Sequence, residues 1–260
     1  MAEEQTIGVV GGVGPLAGLD LVHKILQETA AACDQDHLSI ACLLQPHEIP
    51  DRTEYLLGRH SVNPAHAMVQ QLITLAGMGA RVAGIPCNTA HAPPIFDVIH
   101  KELQAAGTPI TLMHMIAEVV RFLRQHVSHI RGVGVLSTTG TYLSRVYPQH
   151  LEPAGFTVLV PPEEMQRESI HAAVYDASYG IKTQGTVTAT ARAHLLAGIR
   201  HLRAAGAEAV ILGCTEMPLA ITQVAIDGTL IVDPTRILAR ALISMADPAK
   251  LKPLALPSHD

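Results

Sequence analysis

The chain has 260 residues, of which 48% are hydrophobic and 16% charged, a composition typical of a globular protein with a large buried core and not of a disordered chain. The net charge of -5 and the lack of any basic run argue against a nucleic-acid partner. Aromatic residues make up only 3% and tryptophan is absent, which argues against a ligand held by ring stacking.

The first residues and the cysteines predict the compartment. The segment MAEEQTIGVVGG has no basic stretch followed by an apolar core, and no apolar run reaches the ~18–20 residues needed to span a bilayer. We therefore expect a cytoplasmic protein with no membrane partner and with reduced thiols. The cysteines lack CxxC spacing, so we expect no metal site; they are Cys33, Cys42, Cys87 and Cys214.

Apolar periodicity predicts strands that alternate with helices. The first strand, Thr6–Val10, runs into the glycine loop Gly11–Pro15, and Pro15 suits the first turn of the next helix. Further strands are predicted at 38–44, 81–85, 110–112, 132–136 and 230–232. Helices are predicted at 16–32, 63–78 with Asn63 as cap, 95–106 and 235–246. This alternation is typical of α/β architecture with mainly parallel sheets flanked by helices.

The sequence carries a weak internal repeat. Residues 75–89 (LAGMGARVAGIPCNT) align with residues 202–216 (LRAAGAEAVILGCTE) at four identical positions, and Cys87 falls on Cys214 at an offset of 127 residues. The same offset places the glycine loop on Thr138–Gly140, the loop after the strand at 132–136. A slightly smaller offset relates the strand at 110–112 and its following helix to the strand at 230–232 and its helix.

The repeat predicts two α/β halves related by a pseudo-twofold axis. We assign residues 1–112 and 234–260 to the first half and residues 113–233 to the second, so that the helices after the strands at 110–112 and 230–232 exchange halves. In open α/β sheets, ligands bind beyond the carboxyl ends of the strands, where both repeat cysteines are predicted to lie. We therefore expect the active site in the cleft between the halves.

Two facing thiols suit the inversion of an amino-acid α-carbon. One thiolate removes the α-proton and a thiol on the other face returns one; the reference thiol pKa of ~8.5 makes both forms accessible near neutral pH. We expect helices after both cysteines, whose backbone N–H groups, with the hydroxyls of Thr89 and Thr215, would favour a thiolate or hold a carboxylate. The alternative is a pair of buried structural cysteines, the role expected for Cys33 and Cys42.

Five motifs follow one another along the chain: GGVGP at 11–15, PDRT at 50–53, PCNTAH at 86–91, IK at 181–182 and GCTE at 213–216. In combination they resemble the aspartate racemase branch of the aspartate/glutamate racemase superfamily, over about residues 6–245. The resemblance implies a two-domain α/β fold with pseudo-twofold symmetry, a racemase that needs neither pyridoxal phosphate nor a metal, and a homodimer.

The resemblance also implies roles for single residues. Cys87 and Cys214 match the catalytic pair. Asn88, Thr89 and Thr215 match residues that bind the α-carboxylate and amino group of the substrate. Arg52 and Lys182 match residues associated with the distal carboxylate. Thr138 and Thr141 match the substrate loop of the second half. Arginine grips a carboxylate with two parallel N–H bonds and lysine adds a point charge, so this pair would select a small acidic amino acid. The alternative for both is an exposed surface charge.

Several neighbouring residues have open roles. His91 either packs or acts near the first cysteine. Glu216 orients a neighbour or pairs with a cation, and its carboxylate would raise the pKa of the adjacent thiol. Asp51 holds the following arginine or caps a turn. Gly18 departs from the family pattern, in which serine or threonine follows Pro-Leu-Ala, and this departure leaves the ligand contacts of the glycine loop in question.

The expected reaction is the interconversion of L- and D-aspartate, with glutamate as a second candidate substrate. One alternative is a decarboxylase or cis–trans isomerase of the same superfamily, which uses fewer or different acid/base groups. Another is an amino-acid-binding protein without turnover, because fold alone does not determine function. The presence of both repeat cysteines favours the racemase.

Overall fold

A computed structural model describes residues 5–255. Residues 1–4 and 256–260 lie outside the described residues; both stretches belong to the predicted first half, and residues 1–4 also belong to the segment searched for a secretory signal. Within the described range, no helix combines the length and the apolar character required to cross a membrane.

Strands and helices alternate along the described chain, which confirms the predicted α/β class. The strands are β1 (Thr6–Val10), β2 (Ile40–Leu43), β3 (Ala80–Gly84), β4 (Thr111–Leu112), β5 (Gly132–Ser137), β6 (Thr157–Leu159), β7 (Ala209–Gly213), β8 (Ala225–Ile226) and β9 (Thr229–Val232). The helices are α1 (Pro15–Glu28), α2 (Arg52–Leu56), α3 (Ala65–Gly77), α4 (Pro93–Ala105), α5 (Met115–His126), α6 (Thr139–Ser144), α7 (Val146–Leu151), α8 (Glu163–Met165), α9 (Ala172–Tyr175), α10 (Ile181–Gln184), α11 (Ala189–Ala204), α12 (Met217–Ala220) and α13 (Pro234–Ala246). A π-helical turn, Gln166–His171, joins α8 to α9.

The two sheets repeat one strand order. The first sheet has the order β2-β1-β3-β4 and is parallel throughout. The second has the order β6-β5-β7-β9-β8, in which only the edge strand β8 is antiparallel. The strands β2, β1, β3 and β4 therefore correspond to β6, β5, β7 and β9. The corresponding strands β3 and β7 are the ones that precede Cys87 and Cys214, in agreement with the sequence repeat.

The chain divides into two compact units. The first contains the described residues up to Glu118 together with Thr235–Leu254, and the second contains Val119–Pro234. Most of α13 therefore belongs to the first unit. It packs closely against β3, since a Cβ atom added at Gly84 of β3 would lie 3.0 Å from the Leu242 side chain of α13.

Both central strands of the second sheet are buried along their whole length. Every residue of β5 (GVGVLS) and of β7 (AVILG) is buried, and α11 contacts both strands. A strand with both faces covered has no polar face to alternate with its apolar one, and this explains why these segments read as continuous apolar runs in the sequence. In the first sheet, α3 contacts β1, β2 and β3 in the same way.

Helix α1 ends at Glu28, before the predicted end at residue 32. The next residue, Thr29, is extended, with a ψ angle of 129°, and forms an antiparallel bridge with Leu251. The N–H group of Ala30 donates to the Lys250 carbonyl at 2.7 Å. Pairing with a segment near the other end of the chain therefore ends the helix, and no local pattern signals such an end.

Helix α1 packs backbone to backbone against the glycine loop. A Cβ atom at Gly18 would lie 2.6 Å from both the Cα and the carbonyl oxygen of Gly11, which is closer than real Cβ contacts allow. In the same loop, a Cβ atom at Gly12 would lie 2.9 Å from the Gln45 carbonyl carbon. The departure noted at Gly18 thus has a steric cause, because only glycine permits this approach.

Replacement of Gly18 by alanine should destabilise the protein because the new methyl group meets rigid backbone. We expect Gly18→Ala to lower the free energy of unfolding by about 1–3 kcal/mol, as other overpacked substitutions do. Gly77→Ala is the matched control: Gly77 also lies in a helix, no atom lies within 4 Å of its added Cβ, and the change should be neutral or stabilise by up to ~1 kcal/mol. Urea unfolding followed by circular dichroism measures both variants, and equal effects would contradict the steric account.

Candidate active site

Cys87 lies beyond the carboxyl end of β3 and is 7% exposed. Its backbone is extended, and its carbonyl accepts the N–H of Ala90 at 3.2 Å, which starts the 3-10 turn Asn88–His91. The side chains of Asn88 and Thr89 are buried as well. A thiol, an amide and a hydroxyl group therefore come from three consecutive buried residues, at the edge where the parallel strands of the first sheet end.

Arg52 is half-buried at the start of α2. The preceding residue, Asp51, accepts the N–H of Glu54 at 2.9 Å, so the interpretation of Asp51 as a cap is confirmed. The Arg52 guanidinium donates to the carbonyl of Val13 in the glycine loop and to that of Pro50, each at 3.4 Å. The structure therefore holds Arg52 beside the loop that follows β1 rather than fully exposed at the surface.

Hydrogen bonds of Asn63 join α2 to the elements around the first cysteine. The Asn63 amide donates to the Tyr55 hydroxyl on α2 at 3.0 Å and to the Pro94 carbonyl in the first turn of α4 at 2.9 Å. Its side-chain oxygen accepts the N–H of Ala65, the first residue of α3, although the cap position itself is held by Pro64, one residue after the predicted cap. Helix α2 also contacts the turn Asn88–His91 directly. Arg52 and Cys87 thus lie on neighbouring elements of one unit.

His91 is fully buried behind Cys87. Its Nδ1–H donates to the Cys87 carbonyl oxygen at 2.9 Å, so the bond is to the backbone and not to the thiol. The ring stacks on Phe96 at 5.0 Å between centroids and lies 4.8 Å from the His114 ring. The packing role is thus the one observed: His91 holds the backbone conformation on which the Cys87 side chain is carried.

In the second unit, Cys214 directly follows β7 and bonds to a buried carboxylate. Cys214 Sγ donates to Glu216 Oε2 at 3.0 Å, and the Thr215 hydroxyl donates to the same oxygen at 3.3 Å. The other carboxylate oxygen, Oε1, lies 3.2 Å from Lys182 Nζ, which lies 5.3 Å from the centre of the Tyr175 ring. The interpretation of Glu216 as the partner of a cation is confirmed.

The surroundings raise the pKa of the Cys214 thiol well above its usual value. Burial is the main cause and the Glu216 carboxylate adds to it, whereas the Lys182 ammonium partly offsets both. Burial also raises the pKa of Tyr147, whose ring packs so closely that a Cβ atom added at Gly213 would lie 3.1 Å from its Cε2. This environment favours the protonated form of Cys214.

Thr138 and Thr141 lie at the start of α6, beyond the carboxyl end of β5, and both are buried. The π-helical turn holds this loop through two side chains. Gln166 Nε2 donates to the last carbonyl of β5 at 2.6 Å, and His171 Nδ1 accepts the N–H of Thr139 at 3.3 Å. A π-helical turn displaces side chains from regular helical spacing and is frequent at functional sites.

Helical segments follow both cysteines, as expected, but the segment nearest to each cysteine is short. A 3-10 turn follows Cys87, and α4 begins only at Pro93, because the residue before a proline is driven into an extended conformation, as Ala92 is with a ψ angle of 137°. After Cys214 comes only α12, which has four residues. A helix dipole is therefore a weak source of thiolate stabilisation at Cys214, where the pKa is raised rather than lowered.

Sequence reasoning missed four side chains that surround the second cysteine and the loop after β5: Tyr147, Gln166, His171 and Tyr175. None belongs to a recognisable motif, and the π-helical turn that carries two of them has no sequence signature. Within residues 5–255, no three His, Cys, Asp or Glu side chains are grouped so as to hold a metal ion.

The sequence model of the family described as Asp/Glu/hydantoin racemase matches residues 10–242. This chain belongs to that family. It is therefore an isomerase, an amino-acid racemase, and the matched span contains every site residue named from the sequence.

Solved structures similar to this racemase share its architecture. The aspartate racemase of Picrophilus torridus is 28% identical, over 95% of this chain and 96% of that one, with a TM-score of 0.76. An aspartate racemase homologue from Pyrococcus horikoshii is 23% identical, over 94% and 99% of the two chains, with a TM-score of 0.68. The glutamate racemase of Francisella tularensis, determined with D-glutamate, is 18% identical over 98% and 86%, with a TM-score of 0.64. The last two show the fold alone; the first, with the family match, supports the aspartate racemase branch.

Burial of His171 should make this racemase lose stability in acid. Burial lowers the pKa of His171, so the unfolded chain takes up a proton at a pH where the folded imidazole stays neutral. The stability contributed by His171 is therefore fully present above the ordinary histidine pKa. It is lost as the pH falls from that value toward the lower pKa of the folded protein. We expect the difference in unfolding free energy between wild type and His171→Gln to shrink as pH falls from about 8 to about 5. Urea unfolding at each pH measures this difference, and a constant value would contradict the assignment.

Proposed function

We propose that this racemase interconverts L- and D-aspartate without a cofactor, and that Cys87 and Cys214 are its two acid/base groups. One observation carries the proposal: the corresponding strands β3 and β7 of the two sheets each lead to a buried cysteine that is followed by buried polar residues. A reaction with two mirror-related substrates needs one acid/base group for each face of the α-carbon. Glutamate remains the second candidate substrate, and the homodimer and the cytoplasmic location stay predictions.

In the proposed mechanism, each thiol serves one face of the substrate. The Cys87 thiolate removes the α-proton: the Cα–H bond breaks, an S–H bond forms, and an enolate-like carbanion is left. The Cys214 thiol then gives its proton to the opposite face, which leaves a thiolate. The two roles reverse for the other enantiomer. The hydrogen bond that the Cys214 thiol donates to Glu216 supports this assignment, because the group that gives up its proton in this direction must be protonated.

The proposed substrate contacts follow the residues named from the sequence. The α-carboxylate and amino group of the substrate would bind Asn88, Thr89 and Thr215. The distal carboxylate would bind Arg52 and Lys182. Thr138 and Thr141 would line the loop of the second unit. The position of Arg52 beside the glycine loop supports its role. Lys182 has three N–H donors, so its ion pair with Glu216 is compatible with a substrate carboxylate as a second acceptor.

Incubation of L-aspartate with the enzyme in deuterated water should produce D-aspartate that carries deuterium at the α-carbon. Cys87→Ala and Cys214→Ala should each reduce racemisation by at least about a thousandfold, since each lacks one of two required proton-transfer groups. The remaining thiol can still exchange the α-hydrogen on its own face. The two variants should therefore exchange opposite enantiomers, which chiral chromatography with mass spectrometry detects.

The matched controls for this experiment are the other two thiols. Cys33 is exposed and Cys42 half-buried, so neither is the buried structural cysteine that was expected. Cys33→Ala and Cys42→Ala should leave racemisation intact. Binding of L-aspartate with neither inversion nor exchange would overturn the proposed function. A single variant of Cys87 or Cys214 that keeps turnover in both directions would overturn the two-thiol mechanism.

Removal of the Arg52 guanidinium should hurt dicarboxylic substrates most. We expect Arg52→Ala to lower kcat/KM for aspartate by about 10- to 100-fold, the size of a lost hydrogen bond to a charged group, and to affect α-hydrogen exchange in alanine far less. Arg59→Ala is the matched control, since Arg59 follows the same helix but is exposed and pairs with Glu54. An equal loss with aspartate and alanine would argue against contact with the distal carboxylate.

A further inference from the structure

Glu216 is the centre of a charged cluster in the second unit. Its carboxylate is 1% exposed and accepts the Cys214 thiol at 3.0 Å and the Thr215 hydroxyl at 3.3 Å on one oxygen. The Lys182 ammonium, whose side chain is 22% exposed, lies 3.2 Å from the other oxygen. One buried carboxylate thus contacts three residues of the proposed site.

The geometry has a direct consequence for the protonation state of Cys214. A carboxylate can only accept a hydrogen bond, so the thiol must be the donor and must carry its proton. Ionisation of the thiol would place two negative charges 3.0 Å apart inside the protein, beside the Lys182 ammonium. The bond also fixes the direction in which the S–H group points.

The corresponding residues around Cys87 are arranged differently. The offset of 127 residues places Thr89, a neutral hydroxyl residue, on Glu216, and the buried His91 bonds to the backbone carbonyl of Cys87. The repeat therefore places two cysteines at equivalent positions, and the position two residues later holds a carboxylate after Cys214 but a hydroxyl after Cys87.

We propose that Glu216 is a positioning residue of the reaction: it holds the Cys214 thiol protonated and aimed in the resting protein, and it links that thiol to Lys182. This inference rests on the proposed function for its role in turnover. In the resting protein Cys214 is then the acid. When Cys214 must act as the base, it has to ionise beside the Glu216 carboxylate, so the two resting forms of the racemase differ in free energy.

The ionisation of Cys214 tests this proposal directly. The ultraviolet absorbance of thiolates is measured against pH for each protein, once with Cys214 present and once with Cys214→Ser. The difference between the two curves reports the ionisation of Cys214 alone. Glu216→Gln removes the negative charge and should shift the ionisation to lower pH by about one unit or more. Lys182→Met removes the positive charge and should shift the ionisation to higher pH.

Glu208→Gln is the matched control. Glu208 is also hydrogen-bonded, to the N–H groups of Arg131 and Gly132, but it lies at the opposite end of β7, so this substitution should not shift the ionisation of Cys214.

Kinetics give a second readout that a merely structural role would not move. L- and D-aspartate are equal in free energy, so the value of kcat/KM must be the same for both enantiomers. If the two resting forms of the enzyme differ in free energy, the kcat values for the two enantiomers differ, and their KM values differ by the same factor. Glu216→Gln should move the ratio of the two kcat values toward one by about tenfold, which corresponds to one pH unit in the thiol pKa. A simple loss of structure would lower both kcat values together.

The outcomes separate this inference from the proposed function. An unchanged Cys214 titration in Glu216→Gln, with a normal melting curve, overturns the role of Glu216 whether or not the protein racemises aspartate. If that variant unfolds, Glu216→Ala and Lys182→Met decide the question: shifts of opposite sign support the proposal, and shifts of the same sign or none overturn it. Absence of racemisation in the wild type overturns the proposed function and leaves the titration result valid.

Discussion

Parallel strand pairing is the constraint on which the arrangement of the site residues depends. Parallel strands joined by helices all end at one edge of their sheet, so the loops after β1, β2 and β3 meet there, as do the loops after β5, β7 and β9. In the first sheet this brings the glycine loop, Arg52 and Cys87 onto neighbouring elements although they are far apart in sequence. The same order of strands in the second sheet brings the loop at Thr138 beside Cys214.

Two glycines, one in α1 and one at the end of β7, set how closely the surrounding elements approach. Gly18 lets α1 contact the backbone of Gly11, and Gly213 leaves room for the ring of Tyr147 beside the second cysteine. In both places a side chain would occupy the space of a neighbour that cannot move, because protein interiors are close-packed. The loops that carry the site residues are therefore held by backbone contacts, not by side-chain interlocking alone.

The repeat is a repeat of topology and not of electrostatics. Both cysteines are 7% exposed and follow corresponding strands. A buried carboxylate needs donors, and Glu216 obtains them from a thiol, a hydroxyl and an ammonium. Near Cys87, by contrast, His91 donates from Nδ1 to the Cys87 carbonyl. This difference lets two units with the same strand order hold their thiols in unlike environments.

The sequence by itself determined most of the longer strands, the repeat and the polar residues next to both cysteines, because these follow from local apolar pattern and from motifs a few residues long; it did not predict the short strands β6 and β8. Tertiary structure alone decided where α1 ends, since Thr29 pairs with Leu251, and why position 18 is glycine, since Gly11 lies against it. It also decided that Lys182 meets Glu216 and that a π-helical turn reaches the loop after β5. Such contacts join residues distant in sequence, and their energy depends on burial that no local pattern specifies.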